Sequence, residues 1–151
     1  MAALSDYLES GLLNHVFRGS TFTKPTNISI ALTSGVPLDS QTGENIPEIP
    51  SGINSSGTGY SRVNIGVPSN EDWTFSEAMF NSGSGIIANS GQIIFNTALL
   101  DWGHVSGIAV VDHSDWGSGN LLMYAQLENP RIIYAGDNAK FDAETLEICF
   151  K

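Results

Sequence analysis

Residues 101 to 117, with the sequence DWGHVSGIAVVDHSDWG, hold the side chains of this chain that most resemble a site for chemistry. Two Asp-Trp-Gly triplets flank a segment that contains His104, Asp112 and His113. Asp and His together with a serine would form the catalytic triad of a hydrolase, and His with Asp could bind a metal ion. Both kinds of site require side chains that converge on one point.

The element that carries these residues argues against convergence. The apolar run between the triplets predicts a strand over residues 105 to 112 with polar ends. Because side chains alternate between the two faces of a strand, His104 and Asp112 share one face and His113 lies on the other. The sequence also lacks the G-x-S-x-G turn that presents a nucleophilic serine. We therefore interpret the segment as structural, and predict that the chain is not an enzyme and binds no metal or cofactor.

The N-terminal region predicts the one convincing helix, over residues 5 to 18. Ser5 suits the N-cap position, and Gly11 costs the helix about 1 kcal/mol relative to Ala, so we expect the helix to depend on docking. Its apolar side chains recur every four residues and form one face, which Leu13 and Phe17 widen. The residues of this face that we predict to contact a partner are Leu8, Leu12 and Val16.

The rest of the chain has the pattern of short strands separated by Gly, Asn and Pro. Residues 27 to 34 alternate as in a half-buried strand, and eight or nine such segments lie between residues 27 and 150. No helical crossover separates them. The sequence therefore predicts one domain over residues 1 to 151, an all-β, jelly-roll-like antiparallel β-sandwich with a short N-terminal amphipathic helix.

Residues 35 to 58 predict a long loop that is rich in Gly, Pro, Ser and Asn. Loops of this length are usually functional or disordered. Asp39, Glu44 and Glu48 could indicate a calcium site, but no calcium-loop pattern is present, and we predict a solvated acidic loop.

The composition excludes several classes of partner. The formal net charge is −10 and only six residues are Lys or Arg, spread singly along the chain. Binding to nucleic acid or to an anionic membrane needs clustered cations, so neither is predicted. The single cysteine excludes an intrachain disulfide and a Cys-based zinc site. Neither a signal peptide nor an apolar membrane span is predicted, which indicates a soluble chain made in a cytoplasm.

Four stretches carry a resemblance to a known family. They are LSDYLESGLLNHVFRGSTFTKPTNISIAL at the start, GYSRVNI and the region around residues 94 to 102 in the middle, and IAVVDHSDWGSGNLLMYAQLENPRIIYAGDNAKFDAETLEI near the end. Together they resemble small virion structural proteins of tailed bacteriophages, a group that includes tail-fibre proteins and cement-like β-sandwich proteins of the capsid. The sequence departs from the family pattern at residues 35 to 58 and 113 to 118.

The resemblance implies a non-enzymatic role in the virion, after synthesis and assembly in the host cytoplasm. The expected function is a capsid decoration (cement) protein that stabilises the shell from outside, and the alternative is a tail-fibre or baseplate module that contacts a host surface glycan. The expected partners are the major capsid protein or other virion proteins, and a homo-oligomer is expected. A small hydrolase that uses Asp101, His104 and a serine is the least favoured alternative.

Three further residues are candidate partner contacts. Trp73 and Trp116 are aromatic side chains that could present a platform to a glycan, together with Tyr60 and the Asn-rich loops. Trp102 and Trp116 are also expected to cover the ends of the core. Arg62 is one of the few cations, and it could pair with an acid on a neighbouring strand or across a subunit contact. The sequence leaves both pairings open.

Overall fold

A computed structural model describes residues 2–50, 57–75 and 86–149. In chain order the elements are β1 (Ala2–Leu4), α1 (Asp6–Phe17), β2 (Ile28–Thr33), β3 (Val63–Gly66), β4 (Trp73–Phe75), β5 (Ile86–Asn89), β6 (Ile93–Ile94), β7 (Gly103–Val111), β8 (Leu121–Ile133), β9 (Lys140–Phe141) and β10 (Glu147–Cys149).

The described strands form three antiparallel sheets. The largest has five strands in the order β1-β8-β7-β2-β3, the second has the order β10-β5-β4, and the third pairs β6 with β9. The all-β prediction with one short N-terminal helix is therefore confirmed for the described residues. The jelly-roll arrangement stays a prediction.

The hairpin of β7 and β8 forms the centre of the five-stranded sheet. Asp101-Trp102-Gly103 leads into β7, and residues 112 to 120 make the turn into β8. The Asp112 carboxylate closes this turn by accepting from the backbone N–H of Asn120 at 2.6 Å and from its side-chain amide at 2.8 Å. Both Asp-Trp-Gly triplets thus belong to one hairpin, the first at its entry and the second in its turn.

The register of this hairpin breaks near its far end. Gly107 pairs with Gln126 and Val105 pairs with Arg131, so residues 127 to 130 of β8 stand opposite Ser106 alone. A proline inside a strand lacks the N–H that the ladder needs. Pro130 is accommodated because it lies among these looped-out residues.

Strand β2 is buried on both faces, so the prediction of a half-buried strand is wrong. On its inner side Ile30 and Leu32 belong to the main core. On its outer side lies a second cluster, here called the outer core. It consists of Ala31, Ile46, Ala109, Val111 and Leu121. Ile46 comes from the long loop, which folds back over the sheet and buries the face that would otherwise be solvated.

The helix α1 is attached to the sheet mainly at its start. Ser5 is fully buried; its hydroxyl donates to the carbonyl of Leu121 and accepts from the N–H of Leu8, an N-cap bond of 3.3 Å. The Ser5 N–H donates to the carbonyl of Leu122 at 3.0 Å. Gly11 is used for close packing, because a Cβ there would lie 2.4 Å from the ring of Phe22. The predicted docking of the helix therefore takes place at its first turn and against Phe22.

Candidate partner-contact site

The predicted apolar face of α1 changes from partly buried to exposed along the helix. Leu8 is half-buried and packs against the main core, and Leu12 is half-buried. Val16 is 65% exposed, with Leu13 at 57% and Phe17 at 78% beside it. Leu13, Val16 and Phe17 are spaced so that they share one side of the helix. These three residues are here called the α1 apolar face.

The chain that leaves α1 covers a different side of the helix. After Gly19, which has a positive φ of 72°, the chain turns back, and Phe22 packs edge-on against Tyr7 with the ring centres 6.2 Å apart. The Nδ1 atom of His15 accepts from the Phe22 N–H at 3.2 Å. Tyr7, Gly11 and His15 follow one another at a spacing of four residues, so Phe22 covers their row and the α1 apolar face stays exposed.

Arg62 lies in the interior, where its guanidinium makes five hydrogen bonds, as many as it has N–H donors. Its side chain is fully buried, and so, at 2% exposure, is that of its partner Glu48. Nε donates to Glu48 Oε1 at 2.9 Å and Nη2 donates to Oε2 at 2.7 Å, which makes the pair bidentate. The other three bonds go to the backbone carbonyls of Gly43, His113 and Ser118. Arg62 therefore pairs with an acid of its own chain, in the long loop, and does not reach the surface that a partner would meet.

Tyr60 completes this buried group. Its hydroxyl donates to Glu48 Oε1 at 2.9 Å and accepts from the N–H of Leu32 at 3.1 Å. Burial of the phenol, and next the nearby Glu48 carboxylate, raise the pKa of Tyr60 well above its ordinary value, because both disfavour the phenolate. We call Glu48, Tyr60 and Arg62 the Arg62 network.

The network corrects the picture of a solvated acidic loop. Asp39 and Glu44 are exposed, as predicted, but Glu48 is buried because it neutralises Arg62. Gly43 lets the loop approach the β7–β8 turn closely: its N–H donates to the Gly119 carbonyl at 2.9 Å, and a Cβ at this position would lie 2.2 Å from the Ser118 carbonyl oxygen. The described part of the long loop is thus built against the sheet.

Two of the candidate side chains in residues 101 to 117 bond backbone N–H groups in or next to the hairpin. Asp101 accepts from the N–H of Ala135 at 2.8 Å, and His113 Nδ1 accepts from the N–H of Asp115 at 3.1 Å. His104 is exposed on β7, opposite Ile132 of β8. Within residues 2–50, 57–75 and 86–149, no group of three or more His, Cys, Asp or Glu residues is placed to hold a metal ion.

The tryptophans occupy different environments. Trp102 is buried at 3% exposure, and its indole N–H donates to the Thr58 carbonyl at 2.9 Å. This N–H was expected at the solvated edge of the core, but it lies in the interior. Trp73 and Trp116 are half-buried and pack against the main core. Each leaves part of its ring on the surface, while Tyr60 is too buried to present a platform.

Within the part of the chain that the structure describes, no contact links Arg62, Trp73 or Trp116 to the α1 apolar face. The sequence did not single out Gly43, and it placed Glu48 in a solvated acidic loop instead of beside Arg62. One signal was available: Tyr60 and Arg62 are two residues apart in an extended segment, so they point the same way. Glu48 lies between the apolar residues Ile46 and Ile49, and this position in the sequence indicates a buried acid.

Comparison with known proteins decides the family. The family model described as podophage GP4 fiber I protein gp80 matches residues 3–149. The chain belongs to this family. Membership confirms the resemblance to phage virion structural proteins and supports a location in the virion. The search of curated proteins gave no match, and no helix among the described residues is long and apolar enough to span a membrane.

Proposed function

We propose that the chain is a non-enzymatic structural subunit of a phage fibre, and that it attaches to its neighbours in the virion through the α1 apolar face. The family match to a fibre protein supports the fibre assignment. The observation that carries the attachment surface is the exposure of Leu13, Val16 and Phe17 at 57%, 65% and 78%.

The α1 apolar face is better suited to contact with a protein partner than to exposure to water. Isolated exposed apolar side chains are common on protein surfaces, but three on adjacent turns of one helix form a contiguous patch, which marks interaction sites. An amphipathic helix that lays such a face into an apolar groove is a recurrent mode of recognition. A neighbouring virion protein with such a groove is the proposed partner.

The absence of enzymatic activity is part of the proposal. Asp101 and His113 are engaged with the backbone N–H groups of Ala135 and Asp115, and Asp112 with Asn120. A catalytic base would need to reach a nucleophile, and His104 lies opposite Ile132. The expected homo-oligomer and the jelly-roll sandwich are proposed together with this structural role.

Capsid decoration is the second candidate function. The α1 apolar face favours it equally, because an exposed helix could dock on a shell protein as well as on a tail protein. Within a fibre, the chain is proposed as an adaptor or a tip. A tip that binds host glycan would use the exposed parts of Trp73 and Trp116.

Cosedimentation tests the attachment surface and separates these roles. Purified protein is mixed with tailed particles that lack it, with tailless capsids, and with host cells. Binding to tailed particles but not to capsids supports the fibre role. Binding to capsids supports decoration in its place, and binding to cells alone supports a receptor-binding tip and contradicts attachment through α1.

The decisive variant replaces the α1 apolar face, as Leu13→Ser, Val16→Ser and Phe17→Ser together. We expect this variant to remain folded and to lose particle binding. The matched control is Leu99→Ser with Leu100→Ser, because these two side chains are also exposed, at 65% and 53%, but lie outside α1. Equal binding by the α1 variant and the wild type would contradict the proposed surface.

A further inference from the structure

The outer core is covered by a compact loop, residues 36 to 46, here called the flap. Its two ends meet at a base where the Ser34 N–H donates to the Pro47 carbonyl at 2.8 Å and the Ile49 N–H donates to the Leu32 carbonyl at 3.1 Å. A surface loop of this length with its ends together is an Ω-loop, a class that is frequently functional.

The flap holds its own shape through internal hydrogen bonds. The Gln41 side chain accepts from the Leu38 N–H at 2.8 Å and donates to the Asn45 carbonyl at 2.8 Å. The Asn45 side chain accepts from the Thr42 N–H at 2.8 Å, and the Ile46 N–H donates to the Thr42 carbonyl at 3.1 Å. These bonds do not depend on the sheet beneath.

The hydrogen bonds that attach the flap to the rest of the described chain are fewer. Gly43 donates to the Gly119 carbonyl at 2.9 Å and accepts from Arg62 Nη2 at 2.8 Å. The Asp39 carbonyl accepts from the N–H of Asp6, the first residue of α1, at 2.9 Å. The apolar attachment comes from Ile46, which packs in the outer core, and from Pro37, which is fully buried. A unit with few buried apolar contacts opens at a lower free energy than the strands of a core.

What lies under the flap is apolar. The floor consists of Ala31, Ala109, Val111 and Leu121, each of them fully buried. When Ile46 leaves, this floor becomes a slot on the sheet that is lined by small and medium apolar side chains. The same movement breaks the bond between Asp39 and Asp6, so the first turn of α1 loses one of its attachments.

We propose that the flap is a lid that opens as one body about its base, while the five-stranded sheet and the Glu48–Arg62 pair stay folded. Opening exposes the apolar floor and loosens the start of α1. The backbone bonds of Gly43 and the buried side chains of Pro37 and Ile46 hold the lid closed. This inference does not depend on the role of the chain in a fibre or on a capsid.

Thiol labelling of the full chain tests the lid. In a Cys149→Ser background, Ala109→Cys places a thiol under the flap, and Ala98→Cys places one in the main core; both alanines are buried, at 0% and 1% exposure. We expect Ala109→Cys to react with a soluble disulfide reagent at least about tenfold faster than Ala98→Cys in the absence of denaturant. Equal labelling rates would mean that the floor is reached only by global unfolding, and would overturn the proposal.

Gly43→Ala tests what holds the lid closed. Because its Cβ would collide with the Ser118 carbonyl oxygen, the variant should accelerate labelling at position 109 by about tenfold and leave the rate at position 98 unchanged. The control is Gly91→Ala, where no described neighbouring atom lies within 4 Å of the added Cβ. Equal acceleration at both positions would contradict the proposal.

Amide hydrogen exchange in the unmodified chain gives the same test without a cysteine variant. The Gly43 and Asp6 amides should exchange at a rate that depends little on denaturant, well ahead of the amides of β2 and β7. Exchange of all of them in a single global step would overturn the lid.

Discussion

Glu48 and Arg62, fourteen residues apart in the chain, form a buried bidentate ion pair with N–O distances of 2.9 and 2.7 Å. The same guanidinium binds the carbonyls of Gly43, His113 and Ser118. One side chain therefore joins the long loop, the β7–β8 turn and the segment that leads into β3. The cost of burying its charge is offset because every one of its donors has a partner.

Glu48→Gln should destabilise the protein by about 3–5 kcal/mol, because it removes the charge that neutralises a buried guanidinium. Urea denaturation followed by circular dichroism gives the change in the free energy of unfolding. Glu44→Gln is the control, since Glu44 is exposed on the same loop, and it should change stability by less than about 0.5 kcal/mol. A small effect of Glu48→Gln would mean that the Glu48–Arg62 pair adds little to the free energy of unfolding.

Tyr60→Phe should reduce the dependence of stability on alkaline pH. Because the pKa of Tyr60 is raised in the folded state, the phenol stays protonated there, while in the unfolded state it ionises at about pH 10. The stabilisation that comes from the raised pKa of Tyr60 is thus complete below pH 10. It is lost above pH 10, by up to about 1.4 kcal/mol per pH unit. Urea midpoints between pH 9 and 11 should fall more steeply for the wild type than for Tyr60→Phe, and parallel curves would contradict the assignment.

Ser5→Ala should cost about 2 kcal/mol, because the variant loses the N-cap of α1 and the hydroxyl bond to Leu121. Ser10→Ala, at an exposed position inside the helix, should be neutral or slightly stabilising, since Ala is the better helix former. Thermal denaturation of both variants measures the difference. Equal melting temperatures would show that α1 does not depend on its buried cap.

Gly107→Ala should destabilise the sheet by about 1–3 kcal/mol, the usual cost of overpacking. Its Cβ would lie 2.4 Å from the Thr33 hydroxyl oxygen and 2.9 Å from the Gly35 carbonyl oxygen. Gly91→Ala, with open space around the added atom among the described residues, should leave the urea midpoint unchanged or raise it. An equal loss of stability in both variants would mean that the cause is the lost backbone freedom of glycine and not the close contact at Gly107.

Trp102→Phe and Trp116→Phe form a matched pair. The Trp102 indole N–H bonds the Thr58 carbonyl, whereas the Trp116 indole N–H has no partner within the part of the chain that the structure describes. Replacing Trp102 removes one hydrogen bond from a carbonyl that keeps the Leu99 N–H as a donor, and it should cost about 0.5–1.5 kcal/mol more than replacing Trp116. Guanidinium denaturation of both variants gives the comparison, and the reverse order would contradict it.

Local elements followed from local sequence. The helix predicted over residues 5 to 18 is observed as Asp6–Phe17, and the strand predicted over residues 105 to 112 is observed as Gly103–Val111. Capping by Ser5 and the spacing of apolar residues involve only a few neighbouring positions. Both signals can therefore be read directly from the sequence. Strand β8 continues through Pro130, a residue type that usually ends a strand, because looped-out residues absorb the proline.

Long-range packing did not follow from local sequence. Both faces of β2 are buried because Ile46 returns to the sheet from a loop that looked solvated. Alternation of residue types reports which side of a strand is apolar, and Ser29, Ala31 and Thr33 are small or polar enough to suit either water or a close cover. The acid that pairs with Arg62 was one of sixteen in the sequence, and only the folded loop selects it.

The two outermost strands of the large sheet have a consequence for how copies of this protein coexist at high density. β1 has three residues and β3 has four, and β3 ends at Gly66, with a φ of 97°, shortly before Pro68. Long, flat border strands recruit strands from other chains and start aggregates, while short ones that a glycine and a proline interrupt do not. Neither border of the five-stranded sheet therefore offers a long, flat edge to which the strands of neighbouring chains could add in a crowded virion.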